Sequence, residues 1–148
     1  MTVTNLDYLA AKYAQEVIAQ TQGVDKSTVE NAITKVLGVL QEQGVYACFV
    51  FALSRAKSDN NESQSMQAIV SEMAKLLGQL DFAVTYEGHD AEATLRNVAE
   101  HVTQDLDRLL IAKDVLEQML IYARYGAKAR KDKDTAQDTP TENQQQGA

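Results

Sequence analysis

Tryptophan is missing from this chain, and cysteine and proline occur once each. The lone Cys48 excludes an intrachain disulfide framework, which fits a reducing, cytoplasmic setting. Pro140 is the only proline, so residues 1–139 are free of the residue that most disrupts helices. No stretch approaches the roughly 20 apolar residues that a bilayer crossing needs, so no membrane segment is expected. The opening MTVTNLDYLA has no basic stretch followed by an apolar one, so no secretory signal is expected either. Signatures of chemistry are missing too. There is no Gly-x-Gly-x-x-Gly, no Gly-x-x-x-x-Gly-Lys and no Gly-x-Ser-x-Gly. His89 and His101 have no carboxylate or cysteine at a metal-site spacing. Cys48 sits in an apolar block, where a thiolate is unfavourable. The expectation is therefore a non-enzyme with no cofactor and no metal.

What is present is helical patterning in 148 residues, enough for one domain with its own core. Leu6, Leu9, Tyr13 and Val17 recur at spacings of three and four, which predicts a first helix over about 5–20. Ser27-Thr28-Val29-Glu30 has the form of a capping box, with the Ser27 oxygen accepting from the Glu30 N–H. It predicts a second helix to about Gln41 with Val29, Ile33, Val36, Leu37 and Leu40 inward. After Gly44 comes an unbroken apolar run, Val45 to Leu53, which predicts a third helix buried on all sides. The polar KSDNNES reads as a loop before a fourth helix from about Ser65 to Leu80. In residues 81–89, Phe82, Val84 and Tyr86 alternate like a short strand, but one strand alone forms no sheet, so this reads as a loop whose aromatics pack onto the bundle; Asp90 reads as the cap of a fifth helix. Leu95, Val98, Val102, Leu106, Leu109, Leu116, Leu120 and Ala123 keep helical spacing nearly to Lys131, with a break expected near Thr103. From Asp132 onward no large apolar residue occurs, which predicts a disordered tail. The fold class is thus all-α: a compact single-domain bundle of five to six helices over 1–131, then a polar tail over 132–148.

The net charge of −7 argues against a general affinity for nucleic acid. The sign is unevenly spread, however. Residues 59–117 hold twelve acids against four bases, whereas residues 118–133 hold five bases against one acid. Arg55 and Lys57 close the third helix, where they also oppose its macrodipole. Arg124 and Lys128 lie four apart on one face of the last helix, interleaved with Tyr122 and Tyr125 and extended by Arg130, Lys131 and Lys133. Such a strip reads either as a capped, soluble helix end or as a track for phosphate. Glu100, Asp105, Asp107 and Asp114 read as a solvated helix face.

Two segments carry a resemblance. LGVLQEQGVYACFVFALSRAK, residues 37–57, has a helix, a glycine, then an apolar helix ending in Ser and a cation. LLIAKDVLEQMLIYARYGAKA, residues 109–129, ends in an aromatic–basic–aromatic cluster before Ala. With the Ala-Ala-Lys-Tyr-Ala of the first helix, these resemble the small all-helical subunit of type III, Cmr-type CRISPR–Cas effector complexes. The resemblance spans most of residues 5–130 and rests on packing patterns. It implies a non-catalytic subunit in antiviral defence, lying beside the guide–target duplex, bound to other effector subunits and stacking with its own kind. It implies that Arg55, Lys57, Arg124 and Lys128 touch crRNA or target RNA backbone, with Lys12 and Lys35 as further candidates. The acidic balance, pI about 4.8, points to a weak contact multiplied by neighbouring subunits. The readings from other classes are a helical adaptor that binds only proteins through its acidic face, and a metal enzyme built on His89, His101 and nearby acids. Arg55 and Arg124 are expected to share one surface.

Overall fold

Among the described residues of the computed structural model, five of the six α-helices begin on an Asn or Asp whose side chain accepts a free N–H of the first turn. Residues 5–82, 84–86 and 90–131 are described; the tail over 132–148, His89 and residues 1–4 lie outside them. Asn5 starts α1 (Leu6–Gln20), Asp25 starts α2 (Lys26–Gln43), and Asn60 starts α4 (Asn61–Gln79). Asp90 starts α5 (Ala91–Val98) and Asp105 starts α6 (Leu106–Ala129). Each such cap contributes about 1 kcal/mol. No strand occurs among the described residues, and the fold is all-α.

Two starts differ from the sequence reading. At α2 the capping box on Ser27 does not form. The Asp25 carboxylate, two residues earlier, accepts from the Thr28 N–H at 3.1 Å and from the Thr28 and Ser27 hydroxyls. A carboxylate takes several donors at once, so it displaces the weaker hydroxyl cap. These bonds, those from Thr28 foremost, hold the Asp25 carboxyl below its usual value. At α4, Asn60 accepts from the Ser63 N–H at 2.8 Å and starts the helix four residues before Ser65. The last three residues of the polar KSDNNES are therefore helix.

The third helix, α3 (Val45–Ser54), overturns a larger expectation. Gly44 precedes it at φ 100°, a left-handed conformation that suits glycine. Val45, Cys48, Phe49, Ala52 and Leu53 are buried, but Tyr46 and Val50 are exposed. The helix packs mainly against α2 and α4, with lesser contacts to α5, the turn after it and α6, and these leave Tyr46 and Val50 uncovered. Lack of a polar face does not create neighbours to cover an apolar one. The more enclosed helix is α4, where Met66, Ile69, Val70, Met73, Leu76 and Leu77 are all fully buried. Burying each such side chain contributes roughly 1.5–3 kcal/mol.

The apolar spacing runs on unbroken, but the chain breaks near Thr103, as the limit on helix length suggested. A π-helical turn, Ala99–Thr103, joins α5 to α6. The Thr103 hydroxyl donates to the Ala99 carbonyl at 3.0 Å, and Asp105 then caps α6.

Helix α6 lies between α1 and α2. Gly126 faces Ile18 so closely that a Cβ there would stand 3.2 Å from Ile18 Cγ1. Arg130 reaches the carbonyls of Thr21 and Val24 just beyond α1. So α1 runs parallel to α6. Glu30 meets Lys128 and Gln41 meets Glu117, so α2 runs antiparallel. Both registers place the near ends of α1 and α2 beside residues 114–115 of α6. The first two turns of α6 therefore run past both helices. Leu106, expected to face inward with Leu109 and Leu116, is 67% exposed for that reason. Leu6, at the start of α1, is likewise left exposed.

Candidate nucleic-acid interface

The basic end of α6 is built by packing on its opposite side. Met119, Leu120, Ala123 and Ala127 are buried against the bundle. A helix turns 100° per residue, so this fixes Tyr125 and Lys128 outward. From residue 118 to 131 the chain carries Arg124, Lys128, Arg130 and Lys131 and no acid.

These four cations do different things. Lys128 is exposed and pairs with Glu30 at 3.6 Å. The Arg124 guanidinium lies 5.8 Å from the centre of the exposed Tyr125 ring, and its Nε is buried without a partner. A guanidinium beside an exposed aromatic ring is the pairing that stacks bases and holds phosphate. Arg130 turns inward instead. Its two terminal nitrogens donate to Thr21 O at 2.8 Å and Val24 O at 2.6 Å, tying α6 to the α1–α2 turn. Lys131 is exposed at the end of the described chain. Tyr122, read as interleaved with these cations, donates its hydroxyl to Asp7 on α1. That bond raises the Tyr122 pKa, because losing the proton would leave two anions facing.

The remaining candidates form a second group around Glu62. Lys35 of α2 pairs with Glu62 at 2.9 Å, and Arg55 at the end of α3 pairs with it at 3.3 Å. Arg55 also lies over the Phe51 ring at 4.8 Å. The hydrogen bond from Lys35, helped by both positive charges, lowers the Glu62 pKa. Lys57, two residues beyond Arg55, is exposed and has no ion pair among the described residues. Lys12 is exposed on α1 beside its neighbour Tyr13, 5.3 Å from the ring centre.

So the cations are gathered as two sets, each holding a glutamate, on different flanks of α2. Glu30 and Lys35 are five residues apart, which turns them roughly 140° from one another around that helix. No hydrogen bond, ion pair or ring contact joins Arg55 to Arg124. The pairs are solvent-exposed, and such pairs contribute about 0–1 kcal/mol each, so a phosphate can displace the glutamates.

Two features escaped the sequence reading. Glu72 is 1% exposed inside the bundle, where it accepts from Gln20 and Lys75 while its other oxygen has no partner. Its place on the flank of α4 shared with Ser65 and Ala68 was the available signal. A groove of about 640 Å³ also runs between α1 and α6, lined by Ala11, Ala14, Ile18 and Gly126 with Asp7 and Tyr122. It exists because small residues stand where the two helices approach most closely. Elsewhere the chemistry is plain. Cys48 is fully buried and its thiol is pushed up to about 12, since burial disfavours the thiolate. Among the described residues no three of His, Cys, Asp and Glu stand together as a metal would need, and no helix is long and apolar enough to cross a membrane.

No protein-family model matches the chain, and no curated protein or solved structure matches it either.

Proposed function

We propose that this chain is a non-catalytic helical subunit of a type III CRISPR ribonucleoprotein complex, holding RNA backbone with Arg124 and Lys128 and binding neighbouring subunits. The observation that carries this reading is the acid-free end of α6. It is a local run of cations on an acidic chain, of which Lys128 and Lys131 face outward and Arg124 lies beside an exposed tyrosine. The likeness of residues 37–57 and 109–129 to the small subunit of such complexes supports it. Arg55, Lys57 and Lys35 form a second, separate contact in this proposal, and Lys12 an outlying one.

The chain is acidic, so binding is weak alone and gains strength from neighbours in the assembly. The test is co-purification of the tagged chain with effector subunits and RNA of defined length. Changing Arg124 and Lys128 together to Glu reduces retained RNA in the assembled complex while the thermal melt of the free chain is preserved. Unchanged RNA retention would remove these residues from the site.

One observation favours a second reading, an adaptor that binds proteins alone. Lys35, Arg55 and Lys128 already have glutamate partners. An adaptor shows no salt-sensitive RNA binding even when assembled, whereas a phosphate contact weakens steeply with salt.

A further inference from the structure

The outer face of α6 is unlike the rest of the surface. Leu110 is 54% exposed and Tyr125 58% exposed, in addition to Leu106. Leu110, Tyr125 and Lys128 fall within roughly 60° of arc, and Asp107, Asp114 and Glu117 stand in or beside the same arc. Neither α1 nor α2 reaches its first two turns.

The charges on this helix are segregated by end. The first half carries Asp105, Asp107, Asp114 and Glu117. Of its two cations, Arg108 is folded back, donating to His101 O at 3.1 Å and lying 5.5 Å from the Phe82 ring centre. The second half carries only cations. A face with acids and exposed leucine in its first half, and an exposed tyrosine and cations in its second, is complementary to itself when reversed.

We infer that the outer face of α6 pairs with the same face of a second copy, the two helices running antiparallel about a twofold axis near Glu117 and Gln118. That axis sets Leu110 against the partner's Tyr125, and Asp107 against the partner's Lys128. Twofold symmetry makes each contact occur twice. The helix of 24 residues is about 36 Å long, enough for several turns of contact on each side. The arrangement is closed, and so differs from open stacking. It does not rest on the RNA reading. It does occupy Lys128, so self-pairing and RNA contact exclude one another.

The test is sedimentation of the full chain, without RNA, at tens of micromolar and low salt. The wild-type sediments at twice the 16.3 kDa of one chain. Leu110→Glu and Leu110→Gln sediment as single chains with unchanged circular dichroism, since the side chain is exposed. Asp107→Lys alone and Lys128→Asp alone each weaken pairing about tenfold, because the symmetric interface loses two ion pairs and gains two like-charge contacts. The double variant carrying both changes recovers it, an outcome that a loss of fold cannot produce. A wild-type chain that stays single at several hundred micromolar overturns the proposal. So does a species that grows beyond two copies with concentration, a Leu110→Glu variant that still pairs, or a double variant as weak as the single ones.

Discussion

Leu106 and Leu120 stand on the same apolar stripe of the same helix, yet one is mostly exposed and the other fully buried. Their side chains, helix propensities and direction around the axis are nearly alike. What differs is the depth at which neighbours exist. At Leu120, α1 and α2 flank α6; at Leu106, both helices have ended. Helical periodicity reports where a side chain points, while burial depends on how long the neighbouring helices are and how they are offset. The two ends also differ in task. The second half of α6 holds the bundle on one side and presents cations on the other. The first half presents leucines and acids to solvent.

The largest expected effect sharpens this contrast directly. Leu120→Ala lowers unfolding free energy by about 2–5 kcal/mol, through lost burial and the cavity left behind. Leu106→Ala changes it by only about 0.5 kcal/mol or less. Denaturant titration of both variants, read at constant slope, measures the difference. Equal losses would mean that the start of α6 is covered after all.

Next in size is a contrast between adjacent cations. Arg130→Ala removes two charge-assisted bonds, leaving the Val24 carbonyl without that donor while the Thr21 carbonyl keeps the Val24 N–H. The expected cost is about 1–3 kcal/mol. Lys131→Ala, on an exposed side chain, stays within about 0.5 kcal/mol of wild-type. Thermal melts of the two variants decide whether Arg130 is a tie or merely surface charge.

A smaller effect concerns the closest approach of α1 and α6. Gly126→Ala gains up to about 1 kcal/mol of helix propensity. The new methyl must push back Ile18 Cγ1, 3.2 Å away, but Ile18 lines an open groove and has room to move. A net gain of about 0.5 kcal/mol is expected, with a slightly higher melting temperature. A clear loss would show that the α1–α6 contact is rigid.

The smallest effect is pH-dependent. Glu62 has its carboxyl lowered below its ordinary 4.5 by Lys35 and Arg55. Its contribution is complete above that value and fades as the pH falls through the folded-state value, because the unfolded chain binds the proton first. On this exposed site it amounts to a few tenths of a kcal/mol. Glu62→Gln therefore lowers stability slightly at neutral pH and makes no difference once the wild-type Glu62 is protonated. Asp25, lowered by its bonds from Thr28, acts in the same direction below 3.8.

Much of the architecture was legible because capping residues and apolar spacing are local. The Asp90 cap and the inward set of α2 read correctly, and so did the break before α6. The α2 cap was misplaced because Asp25, Ser27 and Thr28 all have capping chemistry, and their competition is settled by backbone geometry. The all-round burial of α3 was misjudged because a run of apolar residues carries no record of which neighbours are present. The cation set was legible as residues but not as a surface. Pairing with Glu62 or Glu30 joins residues 27 and 98 positions apart along the chain, and spacing within one helix cannot report it. Arg130 looked like one more strip cation, yet it turns inward.

The most direct test of the functional account is lysine acetylation of the dilute full chain, read by mass spectrometry with and without excess single-stranded RNA at low salt. The account predicts partial protection of Lys128 by the excess RNA, lost as salt is raised, and little change at Lys113 or Lys75. Equal labelling of Lys128 in both samples would contradict it.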